Sequence, residues 1–290
     1  MFKAGRESMT TRSYAGWCAR LRSAVSRWPS LRVETLGLVG PPNDPLPLFR
    51  VIDTRERGGR RSAVLTGGVH GDEPAGVEAL TRLLEHPSRW SDALAALHVT
   101  IFPCANPTGF ERGTRENYLG IDLNRAFDGP GPPAEVSLIR PHLDAREGHR
   151  PFDLSVELHE DIDNEGFYLY ELRRNAPPIG DSIVEAVQSM IPINRAGTIE
   201  GLAAERGMIR PDPDELMRLH PDRWPQAIYS FRAGTPSCLT LETPAVGATI
   251  DRRADVHLIA LHAAFTVIGQ SVDRGEPGDV RAAKGVINQF

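Results

Sequence analysis

The chain has 290 residues, a formal net charge of −5, 24% charged residues and 40% hydrophobic residues, which is typical of an ordinary globular protein with a full core. Lysine and arginine are not gathered into a basic stripe, so we expect no binding to nucleic acid. The three cysteines are far apart and odd in number, which indicates neither a disulfide framework nor a Cys-x-x-Cys zinc site.

No stretch of the sequence approaches the length of a membrane span, and residues 1–17 lack the apolar segment of a secretion signal. We therefore predict a cytoplasmic protein that does not bind membranes. The pattern indicates one domain over residues 1–271, followed by a polar tail over residues 272–290.

The first half of the chain predicts a β-α-β unit. Apolar spacing predicts a helix over residues 14–28 and, after a proline-rich turn, a strand over 48–52. Short apolar runs predict strands over 63–66 and 99–102, and between them a helix over 74–85 begins with a proline. Open α/β sheets bind ligands at the carboxyl ends of such strands. We therefore expect the functional residues to follow the strand over 63–66.

The second half continues the alternation. Further strands are predicted over 154–158, 167–170 and 238–241, and further helices over 134–146, 181–190 and 254–268. The segment 200–229 is rich in arginine, proline and acidic residues, and it is predicted to be a long connection of the kind that often walls an active site.

The sequence His-Gly-Asp-Glu ends the first of these strands and places His70 three residues before Glu73. A neutral imidazole and a carboxylate both suit Zn²⁺, which in catalytic sites takes three protein ligands and water. A third ligand must therefore come from elsewhere in the chain. Without one, such a pair is more often found on a solvated helix face. His159 is the candidate because it ends a strand, and Glu157 lies on the same strand face, where it can orient the imidazole.

Four acidic residues follow the third candidate ligand: Glu160, Asp161, Asp163 and Glu165. They have two interpretations. The first is a solvated acidic loop, because runs of charge usually face water. The second is a negative wall that receives a substrate ammonium group, which would favour a basic or diamino acid.

Several motifs in a fixed order resemble the zinc metallocarboxypeptidases. Between the ligand candidates lie Asn-Pro-x-Gly at residues 106–109, Arg115 and Asp-Leu-Asn-Arg at residues 122–125, and after them come the strand-borne histidine and Glu242. The resemblance covers residues 67–243, and its spacing is similar to that of short bacterial members that act on murein peptides. It implies a single three-layer α/β/α domain with a mixed, largely parallel twisted sheet.

The resemblance also implies roles for individual residues. One Zn²⁺ would be bound by His70, Glu73 and His159, and Glu242 would be the base that assists the attack of zinc-bound water. Arg115, Asn124 and Arg125 would hold the terminal carboxylate of the substrate, with Arg112 as a competing upstream arginine, since a guanidinium grips a carboxylate with two parallel hydrogen bonds. Arg115 would also stabilise the developing oxyanion, and Thr240 would line the specificity pocket.

Three alternatives for function remain at this stage. The first is a metallocarboxypeptidase acting on a small peptide. The second is an N-acyl amino acid deacylase of the related succinylglutamate desuccinylase/aspartoacylase type, which has a similar motif order. The third is a catalytically silent protein that binds zinc or a peptide. Tyr229 is the one tyrosine positioned as the mobile tyrosine of the carboxypeptidases, but its spacing to Glu242 is short.

Overall fold

The protein is described by a computed structural model over residues 13–144, 150–219 and 223–270. The helices are α1 (Tyr14–Val25), α2 (Pro74–Glu85), α3 (Pro87–Ala95), α4 (Pro107–Arg112), α5 (Ala134–Leu143), α6 (Gly180–Val187), α7 (Pro213–Leu219), α8 (Gln226–Arg232) and α9 (Ile250–Gln270), with a 3-10 turn at Leu123–Arg125. The strands are β1 (Leu31–Val39), β2 (Leu46–Asp53), β3 (Arg61–Gly67), β4 (Leu97–Phe102), β5 (Leu154–Asp161), β6 (Tyr168–Arg173), β7 (Thr198–Ile199), β8 (Leu202–Glu205), β9 (Met208–Ile209) and β10 (Ser237–Pro244).

The strands form one mixed sheet in the order β1-β2-β4-β3-β5-β10-β6-β9-β8-β7. The central strands β4, β3, β5 and β10 are mutually parallel. β1 and β2 on one side, and β6 on the other, add to this block in antiparallel fashion. The carboxyl ends of β3, β5 and β10 therefore meet at one edge of the sheet, where parallel sheets bind their ligands.

Helices cover both faces of the sheet, and alternation along β3 shows how. Ala63 and Leu65 point into a large apolar core with residues of α1, α2, α6 and α9. Val64 points the other way, into a second core with Phe102 and residues of α5. Because successive strand residues face opposite sides, this division makes three layers. The predicted three-layer α/β/α fold with a mixed sheet is confirmed.

The sequence predicted several elements closely and missed others. Helix α2 has the predicted bounds, and β5 and β10 extend the predicted strands towards the site. Strand β1 was missed because its residues are mostly half-exposed or exposed and its pairing shifts between Thr35 and Gly37. The prediction of segment 200–229 as a connection was wrong, because it contains β8, β9, α7 and most of α8. These elements have two to seven residues, too few for a clear period.

Two predictions extend beyond the described residues. The helix predicted over 134–146 ends as α5 at Leu143, and its last two residues lie outside the described ranges. The polar tail predicted over 272–290 also lies outside them, so the domain boundary stays a prediction. Within the described ranges, no helix is both long and apolar enough to cross a membrane.

Candidate metal centre

A tight turn connects β3 to α2 and carries the first two candidate ligands. Gly68 has a φ of +61°, a conformation that glycine adopts without strain. Gly71 packs against the start of α4, where a Cβ would lie 1.9 Å from the carbonyl carbon of Gly109. Glycine at these two positions therefore lets the chain fold back so that His70 and Glu73 face the end of β5.

The structure brings His70, Glu73 and His159 together. Each carboxylate oxygen of Glu73 meets one imidazole: Nδ1 of His70 is 2.6 Å from Oε1, and Nδ1 of His159 is 2.8 Å from Oε2. All three side chains are buried, and one possible ligand atom from each lies within 4.8 Å of the others. Two nitrogens and one carboxylate oxygen are a donor set that suits Zn²⁺. The residues present therefore fit a metal ion.

The charges in this cluster depend on one another. Burial alone would raise the pKa of Glu73, but the charges and hydrogen bonds of His159 and His70 outweigh it and hold that pKa well below its ordinary value. Burial lowers the pKa of His159, but Glu73 and Glu157 outweigh it and raise this pKa well above the ordinary value. A buried carboxylate between two imidazoles thus stays ionised, as a metal ligand must be.

Each imidazole also has a second carboxylate on its other nitrogen. Nε2 of His70 lies 3.1 Å from Oδ1 of Asp122, and Nε2 of His159 lies 3.6 Å from Oε2 of Glu157. Asp122 belongs to the Asp-Leu-Asn-Arg motif, but the sequence analysis gave it no role. Its position two residues before Asn124, in the same motif as two residues of the predicted carboxylate clamp, was a signal that it reaches the same site.

Glu160 follows the third candidate ligand and contacts two helices. Its backbone N–H donates to Oε2 of Glu73 over 3.1 Å, and its own Oε2 accepts the N–H of Ala75 in the first turn of α2 over 2.7 Å. The other carboxylate oxygen pairs with Arg253 of α9. Glu73 precedes α2 but makes no capping hydrogen bond to it. Glu160 therefore satisfies the helix N-terminus that Glu73 leaves uncapped.

This arrangement divides the acidic run after His159. Glu160 is buried and paired, so it contributes neither to a solvated loop nor to a substrate-facing wall. Asp161 accepts the hydroxyl of Tyr168 over 2.5 Å. Asp163 and Glu165 are exposed, as the solvated interpretation expects. Both interpretations were wrong for Glu160. Its partner, Arg253, lies 93 residues further along the chain, and the sequence around Glu160 does not reveal this pairing.

Glu242 reaches the centre from the neighbouring strand. β10 pairs with β5 in parallel so that Glu242 lies beside His159, and Thr240 lies beside Glu157. Glu242 is partly buried. Burial raises its pKa well above the ordinary value, and the carboxylates of Glu73 and Asp161 raise it further against the opposing charge of His159. A carboxyl group with a raised pKa is suited to proton transfer near neutral pH.

The predicted clamp residues lie on the segment after α4, where the two arginines are accessible and Asn124 is buried. Arg115 has a 41% exposed side chain; its guanidinium lies 3.3 Å from Glu73 and 3.3 Å from Asp122. Arg125 is exposed, and it donates to the carbonyl of Asn124 over 2.8 Å. The amide oxygen of Asn124 accepts the backbone N–H of Gln226 over 3.1 Å. The competing arginine, Arg112, is exposed at the end of α4.

Tyr229 does not take the position considered for a mobile tyrosine. It is buried in α8, donates its hydroxyl to Asp144 over 3.0 Å and packs against Phe127. Instead, β6 pairs with β10 and places Tyr168 beside Glu242 and Tyr170 beside Thr240. The sequence analysis missed these tyrosines because it could not order β6 next to β10.

Comparisons with known sequences support the resemblance. Residues 60–189 match the succinylglutamate desuccinylase/aspartoacylase catalytic domain. Carboxypeptidase SOL1 of Arabidopsis thaliana is 35% identical over 111 residues, which are 33% of this chain and 22% of that protein. Murein peptide amidase A of Escherichia coli K12 is 38% identical over 68 residues, which are 23% of this chain and 26% of that protein. The chain thus spans about a quarter of the length of these curated relatives.

Solved structures show the same fold. A metallopeptidase structure from Shewanella amazonensis superposes with a TM-score of 0.74 at 22% identity, covering 90% of this chain and 96% of that one. Bovine thrombin-activatable fibrinolysis inhibitor, solved with a tick carboxypeptidase inhibitor, gives 0.65 at 13% identity over 90% and 98% of the two chains. The chain therefore has the fold of these metallopeptidase and carboxypeptidase structures, and its residues 60–189 are similar to the succinylglutamate desuccinylase/aspartoacylase catalytic domain, as the resemblance predicted.

Proposed function

We propose that the chain is a zinc-dependent hydrolase that cleaves an amide bond beside a free carboxylate in a small peptide. One Zn²⁺ per chain would be held by His70, Glu73 and His159. The observation that carries this proposal is the convergence of two imidazole Nδ1 atoms on the Glu73 carboxylate, with Glu242 in register beside the second imidazole. The proposed ligands and the proposed base thus lie together at the edge of the sheet where such sheets bind ligands.

Glu242 would handle the protons of the reaction. Bound zinc would supply Lewis acidity, which polarises the scissile carbonyl and makes water a nucleophile near neutral pH. Glu242 would accept a proton from the attacking water and deliver it to the leaving amine. Its raised pKa supports both steps, because an ordinary carboxylate is a weak acid-base catalyst at neutral pH. Arg115, within 3.3 Å of Glu73, would stabilise the oxyanion that develops beside the metal.

Asn124, Arg125 and Arg115 would hold the free carboxylate of the substrate. The role of Arg125 is supported most directly, because its side chain is exposed and its guanidinium donates to the backbone carbonyl of Asn124. The other N–H groups of the guanidinium can donate to a planar carboxylate. Thr240 lies in register with Glu157 and Tyr170 on the same side of the sheet as Glu242, which supports a place in the pocket for the substrate side chain.

The alternative reaction is the deacylation of an N-acyl amino acid. It is supported by the match of residues 60–189 to the desuccinylase/aspartoacylase catalytic domain. The peptidase reaction is supported by the names of the two curated relatives, a carboxypeptidase and a murein peptide amidase. Both reactions cleave an amide beside a carboxylate and use the same proposed residues. A catalytically silent binding protein has less support, since a residue of the required type is present at every proposed catalytic position.

The test combines metal content with a matched set of substrates. We expect near-stoichiometric zinc in purified protein, and amine release from short murein-type peptides with a free terminal carboxylate. The same peptides with an amidated terminus should react at least about tenfold more slowly, because charge-assisted hydrogen bonds contribute about 1.5–3 kcal/mol. Cleavage of N-acyl amino acids alone would favour the deacylase. No zinc, or zinc without cleavage of either class, would contradict the proposal.

Two arginine variants make the test specific to the clamp. Arg125→Ala should remove most of the discrimination between the free acid and the amide, whereas zinc content should stay unchanged. Arg112→Ala is the matched control, since it removes an exposed arginine from the end of α4. Equal effects of the two substitutions would contradict the role of Arg125. The cytoplasmic location predicted from the sequence is a separate prediction that this experiment does not address.

A further inference from the structure

The two histidines of the candidate centre are oriented in the same way. Nδ1 of each ring faces Glu73, at 2.6 Å for His70 and 2.8 Å for His159. Nε2 of each ring faces a second carboxylate, Asp122 for His70 and Glu157 for His159. The two second carboxylates come from unrelated parts of the chain, a 3-10 turn and a central strand. The shared geometry therefore does not result from a local sequence repeat.

Glu157 is a buried carboxylate without a hydrogen-bond partner among the described residues. It is 0% exposed, and among the described residues neither of its carboxylate oxygens has a hydrogen-bond partner. Nε2 of His159 is likewise buried without a hydrogen-bond partner in that part of the chain. Burying such groups is costly unless they are paired. The two atoms lie 3.6 Å apart, so each is positioned to satisfy the other after a small approach.

Strand pairing limits what else Glu157 can contact. Its neighbours in register are Thr66 on β3 and Thr240 on β10, neither of which carries a positive charge. The hydroxyl of Thr66 already accepts a hydrogen bond from the side chain of Gln226 over 2.7 Å. Two residues further along the same strand face, Nε2 of His159 lies 3.6 Å from Oε2 of Glu157.

We infer that Glu157 is a positioning residue for the metal centre, which accepts the Nε2–H of His159 and thereby fixes Nδ1 as the ligand atom. This inference rests on the proposed function, since it assumes that the cluster binds a metal ion. A carboxylate on the outer nitrogen fixes the tautomer and the ring orientation and makes the imidazole a stronger ligand. Complete burial strengthens this hydrogen bond, because little water competes for it.

Asp122 provides a comparison within the same centre. Its side chain is 24% exposed, and it also contacts Arg115 and accepts the backbone N–H of Asn124. Its charge is therefore shared among several partners. Glu157 has His159 as its one charged contact among the described residues, so removing its charge should act on the metal through that ring.

The experiment measures zinc affinity by competition with a chelator. Glu157→Gln keeps the shape of the side chain and removes its charge, and we expect zinc to bind about 10–100-fold more weakly. Ser155→Ala is the matched control, because Ser155 is a buried residue on the same strand face whose hydroxyl has no partner among the described residues. It should bind zinc as the unaltered chain does. Equal affinities of Glu157→Gln and the unaltered chain would overturn the inference and leave the proposed function intact.

A second measurement uses the unaltered, zinc-loaded protein and does not depend on the folding of a variant. Nitrogen-15 NMR should show that Nδ1 of His159 binds the metal and that Nε2 carries a proton protected from exchange with water. Metal bound through Nε2, or an Nε2 proton that exchanges freely, would overturn the inference. Failure of the unaltered chain to bind zinc at all would instead contradict the proposed function on which the inference rests.

Discussion

The proposed metal ligands and the proposed substrate-binding arginines differ in how they are held. His70, Glu73 and His159 are buried, and each contacts at least two other polar groups. Arg115 and Arg125 are partly or fully exposed and lie on the segment between α4 and α5. The residues of the cluster are thus positioned by the sheet, whereas the arginines keep donors available for a ligand.

This contrast has a physical cause. Strands β3 and β5 pair in parallel over five residue positions, so the residues that follow them are fixed by backbone hydrogen bonds and by the apolar cores on both faces. Preorganised ligands lose little entropy when a metal binds. The arginines lie on a connecting segment at the surface, where side chains stay accessible to a ligand.

Removal of a buried histidine from the cluster should have the largest effect, because it should abolish both zinc binding and activity. We expect His159→Ala and His70→Ala each to lose zinc during purification and to have no detectable activity, because two remaining protein ligands do not retain a catalytic zinc. Metal analysis and the amine-release assay measure both effects. His262→Ala is the control, since His262 lies on α9 and packs against Trp90 of α3. Stoichiometric zinc in either ligand variant would show that the metal is bound elsewhere.

Replacement of the base should separate chemistry from metal binding. Glu242→Gln should keep zinc and fold normally, but we expect the rate to fall by about 10²–10⁴-fold because an amide cannot accept the proton. The effect should appear in kcat, measured under saturating substrate, with zinc content as the control measurement. A variant with a nearly normal rate would contradict the role assigned to Glu242.

The smallest expected effect is a shift in the pH dependence of kcat/KM, which compares a half-buried acidic residue near Glu242 with an exposed one. Glu242 must be ionised to act as a base, so the rate falls as the pH drops through its pKa, which burial and the charges of Glu73 and Asp161 raise well above the ordinary value. Asp161→Asn removes one of these negative charges, and we expect the acidic limb of kcat/KM to move to lower pH. Asp163→Asn changes an exposed neighbour and should leave the limb in place. A shift in the opposite direction would contradict the assignment of the base.

Local patterns in the sequence were sufficient to place the buried half of the site. The apolar run before His70 and the proline that begins α2 predicted the turn between them, and the strand ending at His159 supplied the third candidate. Periodicity works here because both strands are buried on two faces and the helix has twelve residues. The roles of these residues remain proposals, but their convergence was expected before the fold was known.

Contacts between distant segments could not be predicted in the same way. The sequence gives no register between β6 and β10, so the position of Tyr168 beside Glu242 was not foreseen. The pairing of Glu160 with Arg253 depends on how α9 packs across the sheet. Tyr229 was weighed by its spacing alone, but its environment is set by the short helix α8, most of which lies inside the segment predicted to be a long connection.

The pairing of Glu160 has a consequence for substitutions far from the candidate centre. Glu160 accepts the N–H of Ala75 at the beginning of α2 and pairs with Arg253 of α9, so the first turn of α2 is tied to a helix from the far end of the sequence. Loss of the Arg253 side chain would leave the Glu160 carboxylate buried without this ion pair. A substitution on α9 is therefore expected to disturb the turn that carries His70 and Glu73.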